Sequence, residues 1–535
     1  MAESAKKQSF LHGAALLAMA TAVVKLIGAF YKIPLKMIIG DQGYGYFITA
    51  YDVYSVLLLI STAGLPVAMS RMISQASALD NPNQVRKIYR TARAIFLGLG
   101  IVSSAFMVLG SSWLANEVLM QPNAAYAIAC LGPCALFMGI ISTFRGFFQG
   151  HGNMAPTSAS QVLEAFIKLL VGLGLAFLLT VRYNSVPLAA AGAILGVTCG
   201  CLVSAIFLYT KFRPVYRQLP VSQAPADSFS NTAKGLLTIA VPITIGSAGL
   251  QLLTVIEQKL YMGQLLGGLG LSQDTADTMK GIYSMSMTIY NMPCAFIVPI
   301  AISVIPAITG ALTLKNHETV RETEESAARV AGLISLPCSV GLCLLARPIM
   351  ALLGGYTGEK LDLATRLMTV LSLCVSLYAI IQYTNALLQA HGFAHLPVIN
   401  MLLSGITKLA VVYILVGNPN IGILGAPIGS VLSYTAIAAL NLLSIGRVVA
   451  EKPALLRNFL RPVLPAGLMG IAVFVCRFLL EKIPRFGSSR VLLCGIPIAV
   501  GVVVYVLGIS LFKTLKKEDC LLLPKGEKLA KILKL

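Results

Sequence analysis

The chain has 535 residues, of which 57% are hydrophobic and 12% charged, and its mean hydropathy is +0.81. That composition excludes a soluble globular domain. A net charge of +20 is compatible with nucleic-acid binding only if it gathers on one surface, whereas here it is scattered through the polar connections between apolar stretches.

A bilayer-crossing helix needs about 20 mostly apolar residues. Windows of this kind fall at 10–39, 45–75, 94–113, 121–144, 157–181, 187–210, 235–258, 281–310, 330–346, 367–390, 396–416, 423–446, 462–481 and 491–512. The expectation is an all-α integral membrane protein of about fourteen transmembrane helices.

The first window follows Lys6 and Lys7 and contains Ala18-Met19-Ala20, which imitates a secretory signal with a cleavage site. The apolar run continues past that point to Gly40, so the segment reads as a retained helix. Its second half, KLIGAFYKIPLKMIIG (25–40), carries Lys25, Lys32 and Lys36. At 100° per residue the three lie within roughly 20° of one face and span about 16 Å of rise, too deep for all three to snorkel. Pro34 lies among them and is expected to bend the helix. An ionisable group in a membrane helix is a functional candidate by default and should face a cavity. Lys25, near the helix middle, fits that expectation best, while Lys36, close to Gly40 and Asp41, also fits an interfacial place.

Further charges recur along the chain. Asp52 and Arg71 lie in the second window; Glu164 and Lys168, spaced i, i+4 in the fifth, can pair. Glu257 and Lys259 close the seventh, and Lys408 lies in the eleventh with Ser404 four residues before it. Arg366 and Arg477 read as interfacial or structural. Lys25, Lys32, Lys36, Arg71, Lys168 and Lys408 outnumber Asp52 and Glu164, so a cavity lined by them attracts anions. Phosphate or pyrophosphate on a lipid is the large anion at a membrane surface, and lysine binds it as a point charge. Asp52, Glu164 and Glu257 are the candidates for a coupled-ion site or a charge pair.

Of the 41 basic residues, 25 fall in alternate connections and termini that include Lys6, Arg86–Arg93, Lys211–Lys234 and the tail, against 8 in the intervening ones. Cytoplasmic loops collect Lys and Arg, so both termini are expected in the cytoplasm. The eleven cysteines contain no CxxC pair and read as small hydrophobes within helices. His391 and His395, four apart beside Pro397, read as a loop pair in preference to a metal site, and no metal is expected.

The chain repeats itself at offsets of 233–240 residues: PVAMS (66–70) on PIAIS (299–303), QGHG (149–152) on QAHG (389–392), Lys168 on Lys408, and AGAILG (191–196) on LGAPIG (424–429). Two six-helix lobes are expected, at 1–211 and 235–448, joined by a cytoplasmic linker at 212–234 and followed by two helices and a basic tail at 449–535. Transporters are commonly built from such halves, with access alternating around a central site. No connection exceeds about 25 residues and none carries a GxxxxGK[ST] loop, so neither a catalytic domain nor an ATPase is expected.

KLIGAFYKIPLKMIIGDQGYGYF (25–47), AYDVYSVLLLISTAGLPVAMSRMIS (50–74) and FRGFFQGHGNMAPTSASQVLEAFIKL (144–169) resemble the lipid-linked precursor flippases of the MATE-like superfamily, in particular the stage V sporulation protein B family, which is related to the lipid II flippases. The resemblance implies a MATE-like fold and a transporter without cofactor in a bacterial plasma membrane. It implies export of an undecaprenyl-pyrophosphate-linked cell-wall precursor, above all lipid II, from inner to outer leaflet. Basic residues of the first two helices hold the pyrophosphate in such proteins; the roles fall here to Lys25, Lys32 and Arg71. Lysine stands at 25, 32 and 168 where relatives often have arginine, which keeps the charge but not the bidentate geometry. Val304 matches Arg71 in the second lobe, so the lobes cannot contribute equally. A monomer is expected, with partners among membrane lipids and other cell-wall synthesis proteins; without an ATPase loop, energy is expected from a coupled proton or sodium ion, from the membrane potential or from downstream consumption of the substrate. The alternatives are a flippase for another lipid-linked unit such as a teichoic acid or capsule precursor, a MATE-type multidrug or cation antiporter, and a membrane glycosyltransferase.

Overall fold

The computed structural model describes residues 2–62, 64–220, 225–450, 453–483 and 489–515, and every regular element among them is helical. For some helical residues, Lys25 among them, the side chain lies outside what is described. By contact the chain divides into two compact units, Met1–Gly281 and Ile282–Leu535.

The first unit holds α1 (Ala2–Thr62), α2 (Leu65–Ala78), α3 (Pro82–Leu109), the short α4 (Ser111–Trp113), α5 (Ala125–Gly150), α6 (Ala155–Tyr183), α7 (Val186–Arg217), α8 (Phe229–Gly263) and the first turns of α9 (Gln273–Thr313). The first window and the larger part of the second run together in α1, whose backbone leaves the helical region at Gly40 (φ 71°, ψ −174°). That positive φ suits glycine, which has no Cβ to clash. The joint therefore lies at Gly40, while Pro34 stays inside the helix. α3 starts well ahead of its window, at Pro82: Asn81 accepts a hydrogen bond from the Gln84 amide and Pro82 fills the first turn, so a basic segment joins the apolar helix.

α6 packs on α7, and α7 on α5, through small residues. A Cβ added to Gly196 would come within 2.3 Å of Gly172 Cα, and one on Gly200 within 2.7 Å of the Glu164 carbonyl. These contacts fix the α6 backbone carrying Glu164 and Lys168 against α7. α8 packs on α1, α2 and α3. For that reason the contact boundary comes at Gly281, whereas the polar linker at 212–234 suggests an earlier division.

The second unit holds the rest of α9, then α10 (His317–Leu344), α11 (Ala346–Leu353), α12 (Gly358–Ala390), α13 (His395–Val416), α14 (Gly425–Val448), α15 (Leu455–Leu460), α16 (Val463–Lys482) and α17 (Arg490–Leu511). Its packing repeats that of the first: α10 on α12, α12 on α14 and α13 on α14 echo α3 on α5, α5 on α7 and α6 on α7. Gly429 approaches the Lys408 carbonyl as Gly196 approaches that of Lys168: a Cβ added to each glycine would lie 3.6 and 3.1 Å from the respective oxygen. α16 and α17 form an added hairpin against α10 and α11.

Ten helices among the described residues are long and apolar enough to cross a membrane. They coincide with ten of the fourteen windows; the other four windows lie on α1–α2, α8 and α9. The chain is thus a multi-pass, all-α membrane protein.

Candidate functional site

Within the first unit a cavity of about 320 Å³ opens between α1, α5, α6 and α7. Tyr31, Tyr51 and Tyr54 line it from α1, Arg145 from α5, and Gln161, Glu164 and Lys168 from α6. The Lys168 ammonium lies 4.6 Å from the centre of the Tyr51 ring and 5.3 Å from that of Tyr31. Such cation–π contacts hold a cation without neutralising it. Tyr31 in turn donates to the Ala193 carbonyl at 3.3 Å, which fixes its ring.

Glu164 does not take Lys168 as its hydrogen-bonded partner. Arg145 donates to it from α5 at 3.0 Å and to Ser160 Oγ at 3.1 Å. A guanidinium reaches between helices and bonds in a fork, whereas the i, i+4 lysine is drawn to the tyrosine faces. Lys32 lies half-buried within electrostatic reach of Lys168 and Asp52. Two cations against one carboxylate line the cavity, and beside it Lys32 adds a third positive charge and Asp52 a second negative one.

The positions bridging these helices differ between the repeats. At the offset of 240, Arg145, Ser160 and Glu164 correspond to Asn385, Asn400 and Ser404. In the second unit Asn441 donates to Asn385 at 2.8 Å and Asn400 donates to Asn441 at 2.9 Å, a neutral amide bridge in place of the ionic one.

A second polar cluster lies where α1, past Gly40, meets the start of α9. Lys280 is buried and donates to Thr49 Oγ1 and, at 3.0 Å, to Gln121 Oε1. Asp277 accepts from Gln121 at 2.8 Å, from Tyr46 at 2.9 Å and from Gln273 at 3.0 Å. Asp52 lies within electrostatic reach of Lys280, Lys32 and Glu257, so this cluster continues toward the cavity.

The stripe of three lysines is divided by its surroundings. Lys36 is buried in an ion pair with Asp41 at 3.1 Å. Lys32 faces the charge group just described, and the Lys25 side chain lies outside the described residues, although its neighbours Val24 and Gly28 line the cavity. Arg71 is exposed on α2, Glu257 is buried on α8, and Lys408 is half-buried on α13 of the second unit. His391 hydrogen-bonds Glu324 at 2.6 Å in the second unit. No group of three or more His, Cys, Asp or Glu side chains among the described residues could hold a metal.

Arg145, Asp277 and Lys280 did not stand out from the sequence, where Arg145 and Lys280 read as connection residues. The i, i+3 spacing of Asp277 and Lys280 is the one signal that marks them as a pair.

The family model described as "Polysaccharide biosynthesis protein" matches residues 10–312. The chain is 24% identical to Stage V sporulation protein B of Bacillus subtilis (strain 168) over 97% of its own length and 98% of that protein's. It is 24% identical to the lipid II flippase MurJ of the same organism over 88% and 89%. Among solved structures, an inward-facing multidrug resistance MATE family transporter of the MOP superfamily shares the fold, with a TM-score of 0.65 at 16% identity over 81% of this chain and 99% of the other.

Proposed function

The chain belongs to the polysaccharide biosynthesis protein family, and from that premise we propose that it is a flippase for a polyprenyl-pyrophosphate-linked glycan, lipid II in the first instance. It carries its substrate from the inner to the outer leaflet of a bacterial plasma membrane by alternating access, with both termini in the cytoplasm. The similarity to a lipid II flippase and to a sporulation protein over nearly the whole chain supports this reading. One observation carries it: the cavity of the first unit holds Lys168 and Arg145 against the single carboxylate Glu164, with Lys32 beside it.

A pyrophosphate entering there meets the Lys168 ammonium packed against two ring faces, which it engages by charge-assisted hydrogen bonds. It also competes with Glu164 for Arg145, whose fork geometry suits phosphate oxygens. Glu164, once displaced, is free to take a proton or a sodium ion, which couples substrate entry to an ion. A site that moves such charge across the bilayer is driven by about 2.3 kcal/mol per charge per 100 mV. A multidrug exporter shares the fold, but a cationic drug entering this cavity would meet like charge. A teichoic acid or capsule precursor presents the same phosphate chemistry as lipid II.

Reconstitution into vesicles with fluorescent lipid II, teichoic acid and capsule precursors tests the proposal. Lipid II is expected to reach the opposite leaflet in a protein-dependent way. Movement of cationic drugs alone would sink it, and preference for another glycan would reassign the cargo.

A further inference from the structure

The wall of the cavity contains a second chemistry that transport does not use. Cys134 on α5 and Cys201 on α7 are both buried free thiols, and their Sγ atoms lie 3.0 Å apart. Tyr54, which lines the cavity, has its hydroxyl 3.3 Å from Cys134 Sγ. Met138, one turn beyond Cys134, and Val197, one turn before Cys201, line the same cavity. The thiol pair thus stands one helical turn behind a space large enough to admit a small neutral oxidant.

We propose that Cys134 and Cys201 are a redox-closable pair, joined by a peroxide entering through this cavity into a disulfide that staples α5 to α7. One thiol is oxidised by hydrogen peroxide to a sulfenic acid, releasing one water. The neighbouring thiol then attacks that sulfur, and the sulfenic oxygen leaves as a second water while the S–S bond forms. Forming a bond of about 2.05 Å from the present separation asks each sulfur to move by only about 0.5 Å. Burial slows the first step, because the thiolate is the reactive form. Contact makes the second step fast, since no search is needed. The pairing is particular to the first unit: Cys134 corresponds to Cys374 at the offset of 240 that relates α5 to α12, but Cys201 corresponds to Tyr434 at the offset of 233 that relates α7 to α14. None of this depends on what the cavity carries.

The test exposes the protein in lipid nanodiscs to hydrogen peroxide, blocks remaining thiols with N-ethylmaleimide and maps peptides by mass spectrometry. A peptide pair joined through Cys134 and Cys201 is expected, released by dithiothreitol and absent from Cys134→Ser and Cys201→Ser variants. Met138, on the cavity wall, reports entry of the oxidant by forming its sulfoxide. Met138 oxidised with both cysteines still free would overturn the proposal. So would linkage of Cys130 to Cys199 instead, or failure of peroxide to reach Met138 at all, because the route through the cavity is part of the claim.

Discussion

Arg145 on α5 donates to Glu164 on α6 at 3.0 Å, and so takes the carboxylate that Lys168, one turn along the same helix, was spaced to meet. The pair is mostly buried, with side-chain exposures of 13% and 25%. Removing one partner leaves the other charge uncompensated, which costs more than removing both. Glu164→Gln is expected to lower stability by about 1–2 kcal/mol, discounted for partial exposure, and Arg145→Gln/Glu164→Gln to recover part of it. Thermal unfolding in one detergent, compared across the parent and the two variants, checks this.

Lys168 is held by the rings of Tyr51 and Tyr31, not by a carboxylate hydrogen bond, so its charge is available to a ligand. Lys168→Ala is expected to cut lipid-linked glycan translocation by roughly tenfold or more, the effect of losing about 1.4 kcal/mol or more of a charged contact. Lys168→Arg should retain more activity than the alanine variant. The reconstituted vesicle assay separates this from loss of protein when each variant's incorporation is measured alongside.

Lys280 is almost fully enclosed and bonds to Thr49 and Gln121, while Gln121 bonds to Asp277. Lys280→Ala takes a charged donor from both groups and leaves Asp52 with Lys32 as its remaining nearby cation. The expected cost is about 3–5 kcal/mol, that of breaking a buried charge network. Asp277→Asn keeps an acceptor for one donor but sets its amide against another, and should cost less. Denaturant or thermal melts rank the two; equal stability of Lys280→Ala and the parent would refute the account.

Gly64, between α1 and α2, has no room for a side chain: a Cβ would come within 2.1 Å of the Ala240 carbonyl on α8. Gly174 on α6 has nothing within 4 Å of the same position. Gly64→Ala is therefore expected to reduce the yield of folded protein, because backbone must shift, while Gly174→Ala is neutral or mildly stabilising. Monodispersity on gel filtration compares them.

The charge bias between connections predicts orientation. Ser228→Cys, in the basic connection before α8, should resist an impermeant maleimide in intact cells. Ser272→Cys, before α9, should react. The opposite pattern would reverse the orientation.

Apolar windows of membrane length, set by the thickness of the bilayer, were enough to mark a multi-pass helical protein, and ten of them coincide with helices long and apolar enough to cross it. The repeat was legible for a similar reason: QGHG and QAHG end helices, and the small residues of AGAILG and LGAPIG occur where two helices touch in each unit, so spacing along the chain is preserved by packing. The lysine stripe of the first helix was legible as a pattern but not as an assignment. Periodicity shows that Lys32 and Lys36 share a face with Lys25; it cannot show that Asp41, beyond the joint at Gly40, folds back on Lys36. Likewise the i, i+4 rule proposed Lys168 for Glu164 because it sees one helix at a time. The structure gave Glu164 to Arg145 across a helix interface, sent Lys168 to two tyrosines, and assembled Lys280, Asp277, Gln121 and Thr49 from distant stretches. Local rules determine which segments are helices and where they end, because those forces act within a few residues. Which buried charge meets which partner depends on how helices far apart in sequence approach one another, and only the tertiary structure decides that.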